Sequence, residues 1–289
     1  MSWNRGVRAG VVLVVMVSLT GCASLVSSAG SRMAQSLGEA VASSNDPQTV
    51  HDGLPAYLLL VDGMIAGDPS NPELLLSGAR LYSSYATAFV SDPERTQRLA
   101  TKGRDYGWQG LCRSQRQTCG IWSAPYEEFA SAVERLARDD VPALFGCAAA
   151  WATWIQANRS DWVAVADKAR VELMMQRVVT LDERFERGAA HLYLGVLDTL
   201  LPAALGGKPE EGRQHYERAL DLSEGRNLMA KTLLARDYAR LVFDRELHDR
   251  LCREVTEADP REPGLTLSNV LAIEEAQRLL ASANDYFGE

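Results

Sequence analysis

The chain has 289 residues, with 30 Lys and Arg against 38 Asp and Glu, a formal net charge of −8, and 46% apolar residues. That apolar fraction excludes a mostly disordered chain. The acidic balance, with no Lys/Arg-rich run, excludes a nucleic-acid binder, which needs a basic stripe to displace phosphate counterions.

Arg5 and Arg8 precede an apolar run from Val11 to Leu19, and the run ends in Leu19-Thr20-Gly21-Cys22. A run this short suits the core of a signal peptide rather than a permanent span. Leu-x-Gly-Cys also fits a bacterial lipobox, in which Cys22 takes diacylglycerol and becomes the first mature residue; an ordinary secretory signal with an incidental Cys22 is the alternative. The expected organisation is a lipoprotein signal peptide over 1–21, a lipidated N-terminus and flexible tether over 22–46, and one all-α domain over 47–289. Two or more acyl chains suffice for stable anchoring. Ala23 after the lipid-bearing Cys favours the outer membrane, with the body in the periplasm.

Further along, apolar residues recur at spacings of three and four, with Pro and Gly between segments and no alternating strand pattern. The pattern predicts helices over 50–66, 72–89, 94–112, 125–137, 141–157, 161–181, 186–204, 209–222, 227–242, 245–257 and 264–284, and a short amphipathic helix within 33–42. Asn71-Pro72-Glu73 and Asp92-Pro93-Glu94 each put a capping side chain before a Pro at the first helical position. Gly212, Tyr216 and Ala219 keep the small-x3-aromatic-x2-Ala spacing of a tetratricopeptide second helix, and Asp68–Pro72 and Asp259–Pro263 resemble turns between repeats. The expected fold is an array of degenerate tetratricopeptide-like hairpins around an apolar cavity or groove, with a generic helical bundle as the alternative.

In an oxidising envelope Cys112 and Cys119, which bracket a polar segment, read as a disulfide; no His or further Cys stands at zinc-ligand spacing. Cys147 and Cys252 lie in apolar surroundings and read as core.

Catalytic motifs are absent: there is no G-x-S-x-G, H-E-x-x-H or C-x-x-C, and Gly206-Gly207-Lys208-Pro209 is not a P-loop. The four histidines, His51, His191, His215 and His248, show no obvious acidic or thiol partner in sequence. A non-catalytic protein without cofactor or metal is expected. Two features stand out. The segment Gly188–Leu205 is apolar on nearly every face yet carries His191 and Asp198, seven apart on one face with Gly195 between them. They are either a satisfied core pair or a polar spot that orients a ligand inside an apolar cavity. Trp108, Trp122, Trp151, Trp154 and Trp162 form the second feature, with Trp151 and Trp154 on one helix face. Such aromatics are either plain core or the lining of a groove.

A longer set of segments resembles one family. The lipobox is followed by Pro72-Glu73-Leu74-Leu75-Leu76 leading into Leu81-Tyr82-x-x-Tyr85-Ala86, then by Val141-Pro142-Ala143-Leu144-Phe145 and Ala150-Trp151-Ala152. Next come Gly188-Ala189-Ala190-His191-Leu192-Tyr193-Leu194-Gly195, Leu201-Pro202, Gly206–Glu210, Arg218-Ala219-Leu220 and Leu267-x-Asn269-x-Leu271-Ala272. In order and together, these resemble TatT, the T component of TRAP-transporter-associated lipoproteins. The resemblance implies tetratricopeptide-like hairpins around a hydrophobic cavity or pore, and a homotrimer that engages the substrate-binding protein of a tripartite ATP-independent periplasmic transporter. It further implies hand-over of an apolar ligand for Na⁺-coupled uptake. His191, Asp198, Gly195, Trp151, Trp154 and Tyr193 are the cavity candidates. An envelope-assembly scaffold of the same architecture, with a packed interior, is the alternative function.

Overall fold

The computed structural model describes residues 36–288 and runs through α1 (36–42), α2 (Pro47–Gly67), α3 (Pro72–Phe89), α4 (Pro93–Ser114), α5 (Tyr126–Glu134), α6 (Val141–Ala157), α7 (Trp162–Ala166), α8 (Lys168–Asp182), α9 (Ala189–Asp198), α10 (Pro209–Leu222), α11 (Leu228–Leu233), α12 (Arg245–Thr256), α13 (Thr266–Ala281) and α14 (Ala283–Phe287). No strand occurs among the described residues, so the fold class is all-α. Cys22 and the signal segment lie outside the described residues.

Helix starts follow the capping chemistry. Asn71 accepts from the amides of Glu73 and Leu74 at 3.0 and 3.2 Å, and α3 begins at Pro72. Asp92 accepts from the Arg95 amide at 2.6 Å, and α4 begins at Pro93. Each cap satisfies amides that have no partner within the helix.

Helices pair with their neighbours in sequence and form two layers. α4 lies against both α3 and α6, and α8 against α6 and α9; α3, α6 and α9 also touch one another in turn. α10 then joins α9 to α11, and α12 packs on α11 and α13. The array bends back on itself, because Leu267 and Leu271 of α13 enter the apolar cluster that α2 and α3 build from Val50, Leu54, Val61 and Leu75. Asp62 of α2 ties the same end together, accepting from Tyr82 (2.6 Å), Tyr106 (2.8 Å) and Lys102 (2.5 Å).

Two expectations change. The segment expected over 161–181 breaks at Asp167 into α7 and α8, since that carboxylate accepts the Trp151 indole N–H at 3.2 Å from α6. The helix expected over 186–204 shrinks to α9: Glu186 and Arg187 adopt positive φ (45° and 58°) ahead of it, and Pro202 and a turn follow it. The short helix expected within 33–42 is present over 36–42, and Leu37 and Val41 pack on the α2–α3 cluster. The α11 segment ends as a π-helix, Leu234–Ala239.

Cys112 and Cys119 are joined by a disulfide across the end of α4, while Cys147 and Cys252 are free and buried. On native protein, a thiol reagent is expected to leave all four unmodified and, after unfolding without reductant, to modify only Cys147 and Cys252; labelling of Cys112 in the native state would break the assignment.

Candidate functional site

The α9–α10 hairpin is held at close range by two glycines. A Cβ on Gly195 would stand 2.7 Å from the Tyr216 ring, and one on Gly212 would meet Thr199 Cγ2 at 2.7 Å and the Gly195 carbonyl at 3.1 Å. Only glycine admits this approach. Tyr216 is fully buried, which pushes its phenol far up; the hydroxyl sits 3.3 Å from Thr199 Oγ1 and donates to Asp237 in the π-helix at 3.2 Å.

Along this hairpin four titratable groups form a string. His191 Nε2 stands 3.3 Å from Glu183 Oε1, its Nδ1 lies 2.8 Å from Nδ1 of His215 on α10, and His215 Nε2 faces Asp198 at 3.8 Å. The expectation that His191 and Asp198 share a face holds in space because His215 stands between them. Arg218 grips Glu183 with two hydrogen bonds (2.8 and 2.7 Å) and holds its carboxyl down to about 2. Burial depresses both imidazoles; for His191 the neighbouring Glu183 works against it, while for His215 the facing His191 adds to it. Burial, with Glu172 beside it, pushes Asp198 up to about 7 despite Lys168 at 3.8 Å. Lys168 itself pairs with Glu172.

A carboxyl raised in the folded state binds its proton more tightly there than in the unfolded chain, so it costs stability as pH rises from the ordinary carboxylate range to about 7, and the full cost stands above that. Asp198→Asn is therefore expected to raise the melting temperature at pH 8, by roughly 2–6 °C for about 1–2 kcal/mol, with the gain gone near pH 4. Calorimetry at the two pH values checks it; a lower melting temperature at pH 8 would mean that Lys168 and His215 stabilise the ionised form.

On the other side of α9 lies an aromatic cluster. The Tyr193 ring packs edge-on to Phe145 of α6 at 5.6 Å, and Phe145 packs likewise on Phe185 at 5.4 Å. Tyr193 keeps partial solvent contact, yet desolvation pushes its phenol to about 12. Arg80 of α3 and Glu186 form an ion pair at the edge of this cluster, and both charges act on the phenol.

A family model described as TRAP transporter T-component matches residues 43–287, nearly the whole of the described chain. The chain belongs to the TRAP transporter T-component family. No curated protein matches it. As a T component it is a transport accessory of the bacterial envelope, and among the described residues no helix is long and apolar enough to cross a membrane.

The remaining tryptophan candidates of this T component lie elsewhere in the same apolar cluster or at the surface. Trp151 is fully buried, edge-on to Trp108 at 4.8 Å and to Phe129 at 6.1 Å, inside the largest apolar cluster. Trp154 is partly buried with the Arg104 guanidinium 4.3 Å above its ring. Trp122 and Trp162 are exposed. Two open depressions lie elsewhere: one of about 600 Å³ lined by Glu94, Gln97, Arg98, Thr101 and Asn158, and one of about 410 Å³ lined by Ile121, Glu127, Glu128, Ser131, Ala132 and Arg135. Neither involves a candidate residue.

Sequence reasoning left every histidine without an acidic partner, and this is corrected. His51 meets Asp52 at 2.7 Å, His248 meets Asp249 at 2.9 Å, and His191 and His215 meet Glu183 and Asp198 as above. His215, Glu183, Phe185 and Arg80 were missed. The glycine-to-tyrosine spacing of α10 carried the signal for His215, because once Tyr216 seats on Gly195 the preceding residue must lie beside α9. Among the described residues no group of three or more His, Cys, Asp or Glu could hold a metal ion.

Proposed function

We propose that this T component is a lipid-tethered, non-catalytic lipoprotein facing the periplasm, which engages the substrate-binding protein of a TRAP-type transporter and holds an apolar ligand in transit. The partly exposed rings of Phe185 and Tyr193, packed on Phe145, carry the ligand part of the reading, since they offer apolar surface beside a single hydroxyl, with an ion pair at the edge. Cys22 supplies the anchor, in the outer membrane by the sorting argument, and the homotrimer implied by the resemblance is the assembled form.

The test is mass spectrometry, native and after organic extraction, on a form beginning after Cys22 and isolated from its host's periplasm together with whatever it retains. A TRAP-type binding protein and an apolar small molecule are expected, with Tyr193→Ala and Phe185→Ala losing the small molecule and keeping the protein partner. Cys22→Ala is expected to leave the membrane fraction; cofractionation would remove lipidation as the anchor.

The packing of Trp151 and its neighbours favours a second reading, the envelope scaffold, which binds protein only. An empty protein carrying envelope-assembly partners would decide for it.

A further inference from the structure

The two facing imidazoles on the α9–α10 hairpin have a role that ligand transit does not require. Glu183 ends α8 and opens the turn before α9, His191 is in the first turns of α9, and His215 projects from α10. Their contacts are thus the polar link between that turn and α10, together with the Arg218–Glu183 pair. The turn is strained: Glu186, Arg187 and Gly188 take φ of 45°, 58° and 80° in succession, so it holds its shape only while its surroundings impose it.

Proton placement in the string is directional. Glu183 is ionised and can only accept, so His191 carries its proton on Nε2 and presents a bare Nδ1. His215 must then donate from Nδ1 across the 2.8 Å contact, which leaves its Nε2 lone pair facing Asp198. A first added proton goes to His215 Nε2 or to Asp198, which stand 3.8 Å apart, and leaves the Nδ1–Nδ1 contact intact. A second can enter only at His191 Nδ1, and two N–H groups then face each other.

We propose that the Glu183–His191–His215–Asp198 string is a proton-operated latch: while His191 Nδ1 is bare it joins the start of α9 to α10, and a proton on that nitrogen breaks that joint, leaving Arg218 on Glu183 as the remaining polar tie. The charged groups around it set its threshold. From α8 come Lys168 and Glu172 beside Asp198; from α10 and the residue before it come Glu211, Lys208 and Arg218. Burial favours the neutral imidazoles and Glu183 opposes it, so release belongs to mildly acidic conditions, below the ordinary histidine range. Phe185 and Glu186 lie in the turn that leads into this joint, so the latch sets how firmly the start of α9 holds them. The latch itself stands whether or not the Phe185 and Tyr193 rings take a ligand.

Amide hydrogen exchange on the mature chain, corrected for the intrinsic pH dependence of exchange, tests this. Protection over 183–191 and 211–218 is expected to fall about tenfold between pH 7.5 and pH 5.5 while α3 and α4 keep theirs, and His215→Gln is expected to flatten the response. Equal protection of the parent at both pH values, or the same drop in His215→Gln, overturns the latch. Should His215→Gln fail to fold, imidazole resonances of the parent decide: an Nε2–H tautomer at His191 and an Nδ1–H tautomer at His215, with His191 protonated only after His215, support it, and protonation of His191 before or together with His215 overturns it.

Discussion

Trp151→Ala is expected to destabilise the protein by about 4 kcal/mol and to lower its melting temperature by roughly 8–16 °C. The indole has no solvent contact to recover: it is 1% exposed, and Trp108 and Phe129 meet it edge-on. Its removal opens a cavity in rigid surroundings and also takes the indole N–H from Asp167. Burial already pushes the Asp167 carboxyl up, with the Trp151 hydrogen bond holding it back, so the orphaned group drifts further toward its neutral form. The α7–α8 break that depends on this contact should loosen too. Trp151→Phe keeps most of the ring packing and should lose about half as much. Urea denaturation of the three proteins gives the comparison. A Trp151→Ala protein that melts within a few degrees of the parent would mean that the ring faces open space, and the residue would return to the cavity wall.

Gly195→Ala is the second large effect, at about 3 kcal/mol destabilising, although alanine is the better helix former. The added methyl would stand 2.7–2.9 Å from three atoms of the Tyr216 ring. That ring has nowhere to go, being fully buried with its hydroxyl engaged by Thr199 and Asp237. The same substitution at Gly63 should act in the opposite direction. Gly63 is exposed on α2 with no atom within 4 Å of a new Cβ, so alanine there gains about 1 kcal/mol from helix propensity alone. Opposite signs for one chemical change, read from two melting curves, would establish that the α9–α10 approach is at contact limit. Equal signs would remove the glycine argument for the hairpin.

The all-α class and the starts of α3 and α4 were legible because capping and proline geometry act within four residues of chain. The Gly212–Tyr216–Ala219 spacing was legible for a similar reason, as it records one neighbour's shape. Partners from other helices were not. His215 stands twenty-four positions from His191, and no local rule joins them before α10 is laid against α9. The break at Asp167 was hidden likewise, because 161–181 has an unbroken helical pattern and the interruption comes from an indole on α6. The positive φ at Glu186 and Arg187 runs against residue preference and is imposed from outside, by Arg80 and by the Arg187–Glu262 pair at 2.7 Å. Tyr193 was named from its place in a family segment, but its surroundings, Phe145 and Phe185, come from 48 and 8 residues away and needed the fold.

The return of α13 to α2 bears on how the protein comes apart. An open row of hairpins frays from whichever end is weaker, and each lost unit exposes only its neighbour. Here Leu267 and Leu271 lie in the same cluster as Val50 and Leu75, so the first and last parts of the chain protect each other. Neither α2 nor α13 is a starting point for unzipping, and loss of α13 bares α2 and α3 at once. Denaturation should proceed as one concerted event across the described helices, and a pull applied ahead of α2 would be shared with α13 through that seam.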